Sequence, residues 1–242
     1  MAVTERFLQI MILPLKCIVI TLKGGFSMKK RNNRYLITAT ATLVTFILWT
    51  FAVRFVDVQA IGPNGSEVGF ALLNGAFHKL TGIHMCLYTI TDWLGLVPLA
   101  FVLGFAVLGL VQWIKRRKLW QVDFNILVLG GFYIVTMATY MLFEYVVINY
   151  RPVLIMGFLE ASYPSSTTML VLCVMPTAMM QFHDRIQNKA IRGCVNGTIA
   201  AFTVFMVVGR LVSGVHWRTD IVGGALLSAG LVSMYYAVSK VK

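Results

Sequence analysis

Apolar residues occur along this chain in runs long enough to cross a lipid bilayer. A membrane-spanning helix needs about 20 predominantly apolar residues. Runs of this kind predict six spans, over about 35–55, 93–114, 124–149, 166–182, 193–209 and 220–238. The pattern therefore predicts an all-α, polytopic membrane protein built as a six-span helical bundle.

The segment between the first two spans, about 56–92, has a different pattern. It opens with the turn signal "IGPNGSEVG" and continues as "FALLNGAFHKLTGIHMCLYTI", which is apolar but interrupted by Gly75 and Gly82. We interpret it as an interfacial or partly re-entrant segment that covers the outer face of the bundle.

The first 34 residues are interpreted as a leader before a single membrane domain over 35–242. The early run "FLQIMILPLKCIVI" is short and lacks the small-residue cleavage site of a signal peptide. Met28 begins a basic stretch, and the preceding "KGG" is encodable by a purine-rich ribosome-binding sequence. One hypothesis is therefore that translation starts at Met28 and that residues 1–27 are a mis-assigned start.

Composition and charge agree with a membrane protein and indicate its orientation. The chain is 58% hydrophobic and 12% charged, whereas a soluble domain is about 25% charged. Most of the net charge of +12 comes from basic groups at about 29–34, 115–118, 185–192 and 240–242, which share one side of six alternating spans. This side is predicted to be cytoplasmic, with both termini, in the cell membrane of a bacterium. Nucleic acid is not an expected partner, because no face interleaves basic and aromatic residues.

Three polar clusters fall on the opposite, outer face of the predicted bundle. They are "NYRPV" after the third span, "YPSSTTML" at the start of the fourth, and "GRLVSGVHWRTDIVGG" between the fifth and sixth. Ionisable groups at membrane depth are costly and usually serve a function. These clusters are therefore the candidate site.

The residue types in these clusters suit phosphoryl transfer. His216 and Asp220 are four residues apart, so the carboxylate can orient the imidazole if the sixth helix begins early enough. Arg151 and Arg210 carry planar donor forks that match phosphate oxygens. An oriented imidazole beside two guanidiniums predicts a histidine nucleophile acting on phosphorus.

A helix N-terminus adds further donors for an anion. Ser165 and Ser166, with the backbone N–H groups that open the fourth span, form a plausible phosphate cradle. Each feature has a structural alternative: a packing histidine, arginines that extend toward lipid headgroups, and a simple helix cap. Their placement on one face favours a common site.

The last cluster resembles the third motif, S-R-x5-H-x3-D, of the type 2 phosphatidic acid phosphatase superfamily of membrane lipid phosphatases. Arg210, His216 and Asp220 have the spacing of that motif, with Gly209 in place of its serine. The resemblance covers about residues 90–238.

The other two motifs of the family, K-x6-R-P and P-S-G-H, are matched in part. Arg151 is followed by proline as in the first motif, but Glu144 occupies the lysine position. Ser165 matches the second motif, and Ser166 and Thr167 replace its glycine and histidine.

The resemblance implies a role for each matched residue. His216 would be the nucleophile that forms a phosphohistidine, and Asp220 would orient it. Arg151, Ser165 and Arg210 would hold the phosphate. The reaction implied is removal of phosphate from a lipid phosphate or a lipid pyrophosphate.

The substitution at Thr167 removes the proton donor of the family, and its alcohol is far too weak an acid to replace it. Losing a general acid costs about 10²–10⁴-fold in rate. Glu160, His84 or His78 could donate instead. Alternatively, the enzyme needs no such donor because its substrate is a pyrophosphate, whose phosphate leaving group departs readily. On this alternative, an isoprenyl pyrophosphate such as undecaprenyl pyrophosphate is preferred over phosphate monoesters.

Glu144 lies seven residues before Arg151, two turns deeper on the same helix face. We expect these two side chains to form an ion pair.

The sequence thus predicts a hydrolase with an outward-facing site that acts on lipid phosphates among the membrane lipids. No carboxylate cluster for a divalent ion is visible, so neither a metal nor another cofactor is expected. Two other functions remain open: a catalytically impaired lipid-phosphate binder on the same fold, and a small membrane transporter.

Overall fold

A computed structural model describes residues 28–239 of the chain, with side chains from residue 33. The hypothesis about residues 1–27 lies outside the described residues. Between 28 and 239 the chain is helical, with isolated bridges but no strands. The helices are α1 (Met28–Phe55), α2 (Ala71–Thr81), α3 (Met85–Leu94), α4 (Leu96–Arg116), α5 (Phe124–Tyr145), α6 (Ser166–Arg185), α7 (Lys189–Val212) and α8 (Arg218–Ser239).

The predicted all-α fold is confirmed, but the count of six spans is not. Among the described residues, five helical stretches are long and apolar enough to cross a membrane: Asn33–Phe55, Met85–Arg116, Phe124–Tyr145, Lys189–Val212 and Arg218–Ser239. A helix also forms in the predicted fourth span, as α6, but it is not among the five. Half of the residues of α6 are buried by other helices, so less of its surface needs to be apolar enough to face lipid.

The segment between the first two spans forms helices that belong to the bundle. α2 follows a short 3₁₀ turn at Pro63–Gly65, and α3 continues through Gly95 into α4. α3 packs against α7. The segment was predicted to be interfacial or partly re-entrant; its last residues, from Met85 onward, form the first part of the candidate span Met85–Arg116.

α8 lies at the centre of the packing and positions the site. It packs most extensively along α1, and also against α5 and α6. Polar loops after α5, before α6 and between α7 and α8 meet at one end of the bundle. The basic segments at the end of α4 and around the α6–α7 turn lie at the other end, where Arg116 and Arg185 both approach Asp123.

Candidate active site

His216 lies in the turn before α8 and is almost completely buried. Its Nδ1 is 3.2 Å from the carbonyl oxygen of Ser162, which can only accept a hydrogen bond. Its Nε2 is 3.3 Å from Nη1 of Arg151, which can only donate. These partners define the tautomer: Nδ1 carries the proton, and the lone pair of Nε2 faces the guanidinium of Arg151.

The surroundings also keep this imidazole neutral. Burial, followed by the positive charges of Arg151 and Arg210, holds the pKa of His216 well below its usual value of 6.5. The hydrogen bond to the Ser162 carbonyl opposes this shift but does not cancel it. A neutral imidazole with a directed lone pair is the form that can attack phosphorus.

Asp220 stands beside His216 but does not accept a hydrogen bond from it. Its Oδ2 is 3.8 Å from Nδ1 of His216 and accepts a hydrogen bond from the backbone N–H of Trp217 at 2.9 Å. The reason is that α8 begins at Arg218, after His216, so the two residues do not share a helix. Asp220 thus caps the start of α8 and supports the turn that carries the imidazole, whose proton goes to the Ser162 carbonyl.

Arg151 forms its ion pair with a carboxylate other than the one expected. Its Nε is 3.1 Å from Oε2 of Glu160, and no described residue accepts a hydrogen bond from this nitrogen. The expected pair with Glu144 does not form among the described residues. α5 ends at Tyr145 rather than at 149, so Glu144 and Arg151 are not on one helix face.

Arg210 is 1% exposed, and its guanidinium is only partly satisfied. Nη2 donates to Oδ1 of Asp92 at 2.9 Å and to Oγ1 of Thr167 at 2.6 Å. No residue in the described part of the chain accepts a hydrogen bond from Nε or Nη1. Unpaired donors on a buried cation are costly and indicate a place for an anion.

Both guanidiniums lie against the same aromatic ring. Cζ of Arg151 is 5.9 Å, and Cζ of Arg210 4.8 Å, from the ring centre of Tyr88 on α3. Together with the contact between Arg151 and His216, this ring brings the two arginines and the imidazole into one neighbourhood.

The serines of the second cluster open α6 close to this group. Ser165 is fully buried; its backbone N–H donates to the carbonyl of Asp220 at 3.1 Å, and its Oγ to Oγ1 of Thr168 at 3.0 Å. Ser166 is the first residue of α6. The N-terminal end of the α6 dipole therefore adds positive potential on the same side as the arginines.

Two clefts adjoin at this position. A small cleft is lined by His216 and Glu144, among others. A larger one, of about 330 Å³, lies between α4, α5 and α6; its polar wall is formed by Asp92, Ser166 and Thr167, and apolar side chains line most of the rest. Tyr140, Ser166 and Met169 line both.

The three candidate proton donors lie in different settings. Glu160 lies at the site, where it forms an ion pair with Arg151. His84 is exposed and bonds through Nε2 to the carbonyl of Thr81 at 2.8 Å. The ring of His78 packs 5.5 Å from that of Trp217, and burial lowers the pKa of His78. Within the described structure, neither histidine is hydrogen-bonded to Arg151, Arg210 or His216.

Sequence reasoning missed Tyr88 and Asp92. Both lie on α3, one helical turn apart, in the segment interpreted as interfacial or partly re-entrant. Asp92 is a charged residue at the edge of an apolar run, and this position could have indicated a functional residue. The side chains of residues 33–239 contain no group of three His, Cys, Asp or Glu residues arranged to hold a metal ion.

Comparisons with known proteins agree with this architecture. A search of curated proteins found no match. A solved structure, described as the first transmembrane PAP2 type phosphatidylglycerolphosphate phosphatase from Bacillus subtilis, is similar in fold: the TM-score is 0.56 at 18% identity, covering 85% of this chain and 98% of that chain. The model of the PAP2 superfamily, whose motifs the sequence resembles, matches residues 99–242. More than half of the chain lies within that match, and this multi-pass membrane protein with a phosphatase-type fold therefore belongs to the PAP2 superfamily.

Proposed function

We propose that this protein is a lipid phosphatase in which His216 attacks the phosphorus of a lipid phosphate or lipid pyrophosphate. The phosphate is held by Arg151, Arg210 and the N-terminal end of α6 at Ser166, while Ser165, whose N–H and hydroxyl both donate within the protein, shapes that end of the helix. Asp220 keeps the turn that carries His216 in place.

The orientation of His216 is the observation that carries this proposal. Its Nδ1 proton is bound by the Ser162 carbonyl, so Nε2 keeps its lone pair and points to the donor fork of Arg151. A phosphate bound to that fork would lie next to the nucleophilic nitrogen. Such positioning supplies much of the rate enhancement in phosphoryl transfer.

The unpaired donors of Arg210 support the same placement of the phosphate. Its buried Nε and Nη1 have no acceptor among the described residues. A phosphate oxygen would satisfy them, and it would also reduce the repulsion between two guanidiniums that share the ring of Tyr88.

The larger cleft supports a lipid as the leaving group. Its lining is mostly apolar, and its polar wall includes Asp92 and Thr167, the two partners of Arg210. A lipid tail in this cleft would place its phosphate against the arginines. The structural relative from Bacillus subtilis is described as a phosphatidylglycerolphosphate phosphatase, which is also consistent with a lipid monoester.

We also propose that the site faces the outside of the cell. The basic segments at 115–118 and 185–192 lie at the end of the bundle opposite to His216. Positively charged loops favour the cytoplasmic side of a membrane.

Phosphate release from purified protein in detergent tests this function. The panel should contain a diacylglycerol phosphate, phosphatidylglycerolphosphate, a diacylglycerol pyrophosphate and an isoprenyl pyrophosphate. We expect release from at least one of them, and loss of that release in His216→Ala. The matched control is His183→Ala, an exposed histidine at the opposite end of the bundle, which should behave as wild type.

The outcomes separate the possible functions. Binding of these lipids without phosphate release at high enzyme concentration would contradict the proposal and favour a lipid-phosphate binder. Equal phosphate release by wild type and His216→Ala would show that His216 is not the nucleophile.

A further inference from the structure

Asp92 occupies a position that neither the family motifs nor the matched region include. It precedes residue 99, where the match to the family begins. Its Oδ1 bonds to Nη2 of Arg210, and the same nitrogen bonds to Oγ1 of Thr167. The carboxylate is therefore within two hydrogen-bond lengths of the residue that replaces the family's proton donor.

The side chain of Asp92 is open to solvent and to the larger cleft. Its side chain is 56% exposed. Oδ1 makes the contact to Arg210, and no described residue donates a hydrogen bond to Oδ2. Asp92, Ser166 and Thr167 together form the polar wall of the larger cleft. A lipid oxygen bound in that cleft beside Thr167 would lie near this carboxyl group.

A second departure from the family motifs explains why α3 approaches Arg210 so closely. Gly209 occupies the position of the motif's serine, and a Cβ atom there would be 2.8 Å from Cγ2 of Thr91. Thr91 is fully buried, and its hydroxyl is bonded to the carbonyls of Leu87 and Tyr88. A serine at 209 would therefore push α3, and Asp92 with it, away from α7.

We propose that Asp92 is the proton donor of this enzyme. α3 positions it next to Thr167, which occupies the position of the histidine that donates the proton in the family motif. This inference rests on the proposed phosphatase function. It links three features of this chain: Thr167 in place of histidine, Gly209 in place of serine, and a carboxyl group on the guanidinium of Arg210.

The proton inventory of the reaction is complete with this group. In the first step the lone pair of His216 Nε2 forms a bond to phosphorus, the bond from phosphorus to the lipid oxygen breaks, and Asp92 gives its proton to that oxygen. In the second step the oxygen of a water molecule attacks phosphorus and Asp92 takes a proton from that water. The N–P bond breaks, and its electron pair returns to Nε2. The sum is lipid phosphate and water converted to lipid alcohol and phosphate.

Leaving-group dependence in an Asp92→Asn variant tests this role. A diacylglycerol phosphate expels an alkoxide, which needs a proton, whereas the matched diacylglycerol pyrophosphate expels a phosphate, which hardly does. We expect Asp92→Asn to lower kcat on the monoester by about 10²–10⁴-fold relative to its effect on the pyrophosphate. The preference for pyrophosphates that Thr167 suggested would thus appear in the variant rather than in the wild type.

Three further variants keep the test decisive. Asp92→Glu retains a carboxylic acid and should keep a higher monoester-to-pyrophosphate ratio than Asp92→Asn. Gly209→Ser should lower the ratio by displacing α3. Glu160→Gln removes the carboxylate on the other arginine and should change both rates alike.

Equal losses on both substrates in Asp92→Asn, or an unchanged monoester rate, would overturn the inference while leaving the phosphatase function intact. A selective monoester loss in Glu160→Gln instead would assign the acid to Glu160. A wild type that releases phosphate from none of the four lipids in the panel would reject the proposed function, and this inference with it.

Discussion

The contact between α8 and the loop before α6, which contains Tyr163 and the Ser162 carbonyl bonded to His216, predicts a large effect from adding one methyl group. Gly223 is buried in α8, and a Cβ atom there would lie 2.6 Å from Cε2 and 2.8 Å from Cζ of Tyr163. The Tyr163 ring would have to move. It is 1% exposed, lies parallel to Phe46 at 6.3 Å, and its hydroxyl is 2.7 Å from that of Thr50.

The expected cost of Gly223→Ala follows from these contacts. Overpacking a buried site costs about 1–3 kcal/mol, and losing the hydrogen bond between Tyr163 and Thr50 costs about 1 kcal/mol more. The better helix propensity of alanine offsets about 1 kcal/mol. We therefore expect a net loss of about 1–3 kcal/mol. Activity should also fall, because Tyr163 adjoins the Ser162 carbonyl that holds the Nδ1 proton of His216.

Thermal inactivation in detergent and phosphate release measure the two effects. Gly193→Ala in α7 is the matched control, because a Cβ atom there meets no described atom within 4 Å. It should be as stable as wild type or slightly more so. If Gly223→Ala were as stable and as active as Gly193→Ala, the close packing of α8 against Tyr163 would be refuted.

Three other predictions concern the site itself. The pKa of His216 in the folded protein lies well below 6.5, so below pH 6.5 the unfolded chain binds a proton at this residue that the folded protein does not. The inactivation temperature should therefore fall more steeply with decreasing pH in wild type than in His216→Gln. Parallel plots of inactivation temperature against pH for the two proteins would contradict this. Arg210→Lys replaces a fork with a point charge and should lower kcat/KM by about 10–100-fold, the value of a hydrogen bond to a charged group, as measured by phosphate release; an unchanged value would mean that Arg210 does not hold phosphate. Introducing Thr167→His into the Asp92→Asn variant should restore part of the monoester activity in the same assay, and no gain would show that a proton donor was not the missing group.

The helices could be predicted from the sequence because long apolar runs have few other solutions in a membrane. Observed bounds differ from the predicted ones by a few residues at most ends. The largest consequence comes from α5, which ends at Tyr145 instead of 149. That difference of about one turn removes the expected pairing of Glu144 with Arg151. Helix ends depend on caps and tertiary contacts, which apolar periodicity does not encode.

The motif residues could be located by their spacing, but not all of their partners. Asp220 was expected to bind the imidazole, whereas the Ser162 carbonyl, 54 residues away in the chain, takes that place. The pairing of Asp92 with Arg210 joins residues 118 apart and depends on a glycine that admits Thr91. Such contacts arise from three-dimensional packing, so local sequence patterns cannot reveal them.

The most direct test of the account is to trap the covalent intermediate. Wild-type protein is mixed briefly with diacylglycerol phosphate labelled with ³²P, quenched in alkali, and mapped by mass spectrometry. The account predicts an acid-labile, base-stable phosphate on His216, absent from His216→Ala and present in His183→Ala. Label on another residue, or undiminished phosphate release by His216→Ala, would contradict it.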